Sequence, residues 1–165
     1  MSRQWRRQVW RLLAQGRGFA VVFFNIDRLR DLSAWSGHSK GDLAIQEVAF
    51  EVRRPLPKEG RVYRIMGGEF GVLLPGMNEQ QASAWAEIVR KAVEADVKVV
   101  DSELGPRPLT VRAAVTEHVP TRRLWSKKHQ TPLIMATSDA LVEARSLGGN
   151  CVVTRPVGAV LESEP

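Results

Sequence analysis

Arg64-Ile65-Met66-Gly67-Gly68-Glu69-Phe70 closes one apolar run, Arg61 to Ile65, and opens another, Phe70 to Leu74. A strand, a glycine pair and a second strand make a hairpin, because glycine takes the positive φ that tight turns demand. Upstream, FAVVFFNID (Phe19 to Asp27) reads as a fully buried strand ending in polar groups, and the run RLRDLSAWSGHSKGD follows it.

The rest of the chain is organised around these two segments. Trp5, Val9, Leu12 and Leu13 stand at helical spacing within Gln4 to Gln15, so a leading helix of about residues 3–16 ends at Gly16 and Gly18. Leu29, Leu32 and Trp35 mark a short helix; Ile45, Val48, Ala49 and Val52 mark a longer one that stops near Pro55 and Pro57. Asn78 and Gln81 have capping-box spacing before a helix whose Trp85, Ile88, Val89 and Ala92 are expected on one core-facing side. Leu109 to Val115 reads as another buried strand, paired with Val97 to Val100 through the turn-like Gly-Pro-Arg-Pro. Pro120 to Gln130 is a polar loop. Thr137 or Ser138 is expected to cap a last helix, Asp139 to Leu147, which Gly148 and Gly149 end before a strand at Cys151 to Thr154. One domain over 1–165 is expected, with a core of about 17–155 and a frayed tail at 156–165.

With 165 residues, 44% hydrophobic and 25% charged, the composition is that of a globular domain with a sizeable core. No apolar stretch reaches the length of about 18 residues that spans a membrane, and the Arg-rich start lacks the apolar run of a signal peptide. The lone Cys151 excludes an internal disulfide and agrees with a cytoplasmic setting. A net charge of +6 favours anionic partners. Basic residues gather at Arg3, Arg6, Arg7 and Arg11 and again at Arg122, Arg123, Lys127 and Lys128. Either group is also what a solvated face would show.

Four segments in order resemble the GGDEF domain of the diguanylate cyclase family. The family's Asp-x-Asp looks like Asn25-Ile26-Asp27, and its Gly-His-x-x-Gly-Asp looks like Gly37-His38-Ser39-Lys40-Gly41-Asp42. The signature hairpin falls on Arg64 to Phe70, and Ala-Lys-x-x-Gly-x-Asn resembles Ala144 to Asn150. The resemblance covers roughly Arg6 to Val153. It implies an α+β fold of the nucleotide-cyclase, palm-like kind, with a central five-stranded mixed sheet flanked by helices. The family's usual opening link to an upstream sensor is missing.

What the resemblance implies about chemistry is specific. Family members join two GTP molecules with Mg²⁺ held by the first acid of Asp-x-Asp, a neighbouring backbone position at Ile26, and the third position of the hairpin signature. Those acids are replaced by Asn25 and Gly68, a neutral oxygen and no side chain. Arg64 keeps its spacing to Phe70, so Met66 and Gly68 read as substitutions rather than as the result of a deletion. Asp27 and Glu69 stand as candidate substitutes, with Glu69 expected to face away because strand side chains alternate. Guanine recognition would fall on Ser33, where the family has Asn, and on Asp42, which would equally serve as a helix cap. Triphosphate binding would use Arg30 and Arg145, at family lysine positions, with backbone N–H groups near Ile26 and the open backbone of Gly67. Both arginines would equally be ordinary exposed helix residues. Gly149 replaces an Arg that contacts phosphate in the family. The inhibitory cyclic di-GMP site, an Arg-x-x-Asp, would fall on Pro57-Lys58-Glu59-Gly60 and is absent. His38 is expected to be structural.

The first expectation is therefore a degenerate GGDEF domain, weak or inactive, serving as a regulatory or protein-interaction module, as a homodimer or with another protein. It would hold GTP, with Mg²⁺ only alongside the nucleotide. An active cyclase using Asp27 or Glu69 is the alternative. A basic nucleic-acid-binding module built on Arg122, Arg123, Trp125, Lys127 and Lys128 is the reading from another class.

Overall fold

The computed structural model describes residues 3–101, 105–120 and 130–157. Along the chain these form α1 (Arg3–Ala14), β1 (Phe19–Ile26), α2 (Leu29–Ser36), α3 (His38–Arg53), β2 (Arg61–Met66), β3 (Glu69–Pro75), α4 (Glu79–Asp96), β4 (Lys98–Asp101), β5 (Gly105–Pro108), β6 (Val111–His118), α5 (Gln130–Ser146) and β7 (Val152–Thr154). Five strands make one mixed sheet in the order β2-β3-β1-β6-β7, antiparallel except for β6 beside β7. The expected α+β architecture is thus observed.

β1 lies at the centre because its side chains are apolar on both faces. Ala20, Val22, Phe24 and Ile26 pack with Val48 and Val52 of α3 and with Trp85, Val89 and Val93 of α4. Phe19, Val21 and Phe23 pack with Trp5, Val9 and Leu13 of α1 and with Leu133 and Ala140 of α5. Each large side chain buried this way contributes about 1.5–3 kcal/mol, so the two layers fix the sheet and, with it, the end of β1.

Asn78 caps α4 with a reciprocal capping box to Gln81, as the spacing requires. The core stripe of α4 differs from the expected one. Ala82, Trp85, Ala86, Val89 and Val93 are buried while Ile88 is 58% exposed, because the stripe follows the 3, 4 spacing from Trp85. Trp35 is likewise exposed, with the Arg28 guanidinium 5.7 Å above its ring, and Leu32 is the buried member of α2. α3 begins at His38, which places Asp42 inside the helix on an exposed position and not at its cap.

Two further expectations are corrected. Gly-Pro-Arg-Pro is not a turn between paired strands; it is itself β5, hydrogen-bonded to β4 in a separate two-stranded ribbon, where prolines on an edge need not donate. β6 pairs instead with β1 and β7. The last helix starts at Gln130, well before Thr137 and Ser138. Thr137 is buried within it, its hydroxyl donating to Leu133 O at 2.7 Å and lying 3.0 Å from the hydroxyl of Thr116, so it serves inside the helix and not as a cap. Arg122, Arg123, Trp125, Lys127 and Lys128, and the tail beyond residue 157, lie outside the described residues.

Candidate functional site

β1 ends at Ile26, and the chain turns through Asp27 and Arg28 before α2; Arg28 takes a left-handed conformation, φ 54°, that lets the helix start at once. The hairpin tip Gly67-Gly68, the start of β6 and the end of α5 come up beside this turn. Together they enclose a cleft of about 620 Å³ bordered by Asn25 to Asp31, Met66 to Glu69, Thr110, Arg112, Arg145, Gly148 and Gly149. Asn25, Asp27, Gly67, Gly68, Glu69, Arg30 and Arg145 are all brought to it. Ser33 and Asp42 are not among its lining residues. A hollow of the same volume over α1, lined by Arg7, Trp10, Arg11 and Tyr63 among others, contains none of the motif residues.

Asp27 is the most constrained acid in the cleft. One carboxylate oxygen accepts from Arg112 Nη1 at 2.7 Å; the other accepts from Thr110 Oγ1 and from the backbone N–H of Asn150, both at 2.9 Å. The Asp27 and Arg112 side chains are 11% and 14% exposed, so this is a desolvated, charge-assisted pair. Asn150 continues the network: its side chain accepts from Arg90 Nη1 at 2.6 Å and donates to Glu94 at 3.0 Å, which ties the turn before β7 to α4. Gly149, at φ 79°, sits so close that an added Cβ would lie 2.6 Å from an Asp27 oxygen. A side chain at this position and the present seat of Asp27 exclude one another.

The hairpin tip is arranged differently. Met66 and Glu69 face each other across Gly67-Gly68, and the register shifts between Arg64 and Met66, leaving Ile65 as a bulge. Glu69 is the direct partner of Asn25 across β3 and β1, and opposed residues of antiparallel strands share a face, so alternation sets it on the Asn25 side of the sheet, away from the face of Phe70, where it borders one edge of the cleft. Burial raises its carboxyl above the usual carboxylate range, with the Arg112 charge opposing. Gly68 is buried, and a Cβ there would lie 2.6 Å from Leu29 Cδ2 and 3.1 Å from Ile26 Cβ. Arg64 Nε donates to Gly67 O at 2.9 Å and so holds the turn itself.

The backbone N–H groups at the end of β1 are already paired. The Ile26 N–H bonds Gly68 O at 3.1 Å and the Asp27 N–H bonds Thr110 O at 2.9 Å, so the strand end is closed by neighbouring backbone. Ser33 donates its hydroxyl to Leu29 O at 3.0 Å. Pro57 to Gly60 forms a turn closed by the Gly60 N–H to Pro57 O, with Glu59 paired to Arg17 at 2.7 Å.

Mg²⁺ seeks hard anionic oxygens in octahedral array. Both Asp27 oxygens are committed, Asn25 offers a neutral one, Gly68 offers none, and the remaining carboxylate, Glu69, has its pKa raised by burial. A guanidinium stands in the same cross-strand row, since Arg112 is the other neighbour of Asn25. This set does not fit a dication. Arg112 and Thr110 were not singled out in the sequence, and Asn150 was named only as the last position of the late motif. The signal was there for Arg112, a single charge within the apolar run LTVRAAV.

The family model described as "Diguanylate cyclase, GGDEF domain" matches residues 1–151. The chain is 28% identical over 152 residues to the probable diguanylate cyclase DgcT of Escherichia coli K12, covering 91% of this chain and 32% of that protein. It therefore spans about a third of the length of this relative. Among solved structures, the GGDEF domain of TpbB from Pseudomonas aeruginosa superposes with a TM-score of 0.78 at 19% identity, covering 97% of this chain and 93% of that one. The diguanylate cyclase SiaD of Pseudomonas aeruginosa, in complex with its activator SiaC, gives 0.76 at 25% identity over 92% of this chain and 55% of that one. With the sheet order, the hairpin and the cleft at the end of β1 in place, the chain belongs to the GGDEF domain family of diguanylate cyclases.

Proposed function

We propose that residues 1–165 form one degenerate GGDEF domain that makes little or no cyclic di-GMP and serves as a regulatory, protein-binding module in cytoplasmic cyclic di-GMP type signalling. The observation that carries this is the commitment of Asp27. Its oxygens hold Arg112, Thr110 and Asn150, while the positions that supply metal-binding acids in the family are Asn25 and Gly68. A protein partner agrees with the pairing of the related SiaD with its activator SiaC.

The test is product formation from GTP with Mg²⁺ or Mn²⁺. The chain as it stands is expected to give none above background, and measurable cyclic di-GMP would end this reading. Asn25→Asp with Gly68→Asp is expected to stay inert as well, because an acid at 68 has to displace Leu29 and Ile26.

A second reading, an active cyclase with an altered site, draws on one observation: Glu69 stands opposite Asn25 inside the cleft. On that reading the chain itself gives metal-dependent turnover, and Asn25→Asp alone, which places two carboxylates side by side, raises it without any change at Gly68.

A further inference from the structure

We propose that the cleft binds a polyphosphate chain without a metal ion and without regard to the nucleobase, with the fixed guanidinium of Arg112 as its central cation and Arg30 and Arg145 closing on the outer phosphates. This rests on reading the cleft as the nucleotide site of the domain.

The argument begins with Arg112. It lies opposite Asn25 on the same face of the sheet, in the row where Glu69 also stands. Its Nη1 is spent on Asp27, yet its Nε is buried with no hydrogen-bond partner among the described residues. A desolvated guanidinium with an unfilled donor favours an anion far more than a solvated one does, and its planar fork matches phosphate oxygens. Asp27 holds it rigid, so little freedom is lost on binding.

The charges around it lean the same way. Four arginines, Arg28, Arg30, Arg112 and Arg145, border the cleft with three acids. Two of those acids are taken, Asp27 by Arg112 and Asp31 by Arg28 at 3.1 Å. The third, Glu69, forms no ion pair among the described residues, and burial raises its pKa with the Arg112 charge opposing. Arg30 and Arg145 form no ion pair among the described residues, and both are exposed at the rim, free to swing onto a ligand. A polyanion meets two unpaired cations here, Arg30 and Arg145, beside the guanidinium that Asp27 holds in place. Selection of a base has no comparable support. Ser33 gives its hydroxyl to Leu29 O, and neither it nor Asp42 lines the cleft.

The test is calorimetric titration of the chain with inorganic tripolyphosphate, GTP and ATP, each in EDTA and again in excess Mg²⁺. Saturable binding of all three in EDTA is expected, with comparable affinities, and Mg²⁺ should weaken each by masking phosphate charge. Arg30→Ala and Arg145→Ala, both on exposed positions that leave the core intact, should each weaken binding roughly tenfold. Binding that requires Mg²⁺ overturns the proposal, as does binding of GTP alone among the three, which would put the specificity in the base. No heat in any condition also overturns it. That last result leaves the inert-domain reading standing, because that reading falls on product formation and not on binding.

Discussion

The corner around Asp27 and the tip of the Met66–Glu69 hairpin border one cleft, yet they hold their residues by opposite means. At the corner a single carboxylate gathers a guanidinium, a hydroxyl and a backbone N–H from β6, the residue before it and the turn before β7. At the tip two glycines carry the turn, Met66 is 72% exposed, and Glu69 makes no ion pair among the described residues. The contrast teaches that an acid kept in a motif need not be kept for the motif's chemistry. Asp27 survives as a structural clamp, while the acid with chemical freedom is Glu69, beside Asn25 at the edge of the cleft.

The sharpest way to break the contrast is to remove the clamp. Asp27→Ala leaves a largely buried Arg112 guanidinium without its counter-charge and strips acceptors from Thr110 and Asn150, so a loss of about 3–5 kcal/mol is expected. Urea unfolding followed by far-UV circular dichroism reads it directly. Adding Arg112→Leu to Asp27→Ala should recover part of the loss, since the lone charge is the main penalty. A loss below about 1 kcal/mol for the single variant would place Asp27 among ordinary surface acids and undo its role as a clamp.

The tip and the corner also differ in how they refuse a side chain, which gives the next largest effects. Gly149→Ala puts a Cβ at φ 79° and into the Asp27 carboxylate, a cost of about 1–3 kcal/mol. Gly68→Ala meets Leu29 Cδ2, the end of a flexible side chain, and more weakly the core residue Ile26, so about 1–2 kcal/mol is expected there. If Gly68→Ala proved the costlier of the two, the hairpin and not the corner would be the rigid element.

The sheet, its two apolar layers and the hairpin were legible because they rest on a continuous apolar run, Phe19 to Ile26, and on helical spacing and capping such as those of α4. The cleft was legible in part. Asn25 and Gly68 announce what is missing, because a missing acid is visible in one position. What Asp27 does is not, since its partners Arg112 and Asn150 lie 85 and 123 residues away and are set by β6 pairing and by the turn after α5. The bulge at Ile65 was not legible either, since it is set by the pairing of β2 with β3.

The smallest expected effect falls on Glu69 and is read in pH. Its carboxyl titrates above the ordinary value of 4.5 because burial disfavours the charged form. Over the window between the unfolded and folded values, the folded chain therefore binds more proton than the unfolded chain does. The sign follows: the contribution of Glu69 to stability is fully present below about 4.5 and is lost as pH rises through the folded value. Glu69→Gln removes that loss, so at neutral pH the variant should be slightly more stable than the parent, and its stability should fall less steeply between pH 4 and 7. The same substitution takes away one negative charge facing Arg112, so it should tighten tripolyphosphate binding in EDTA. A variant that is destabilised at neutral pH would mean that the charged carboxylate is held by a favourable partner, and the hairpin tip would then resemble the Asp27 corner after all.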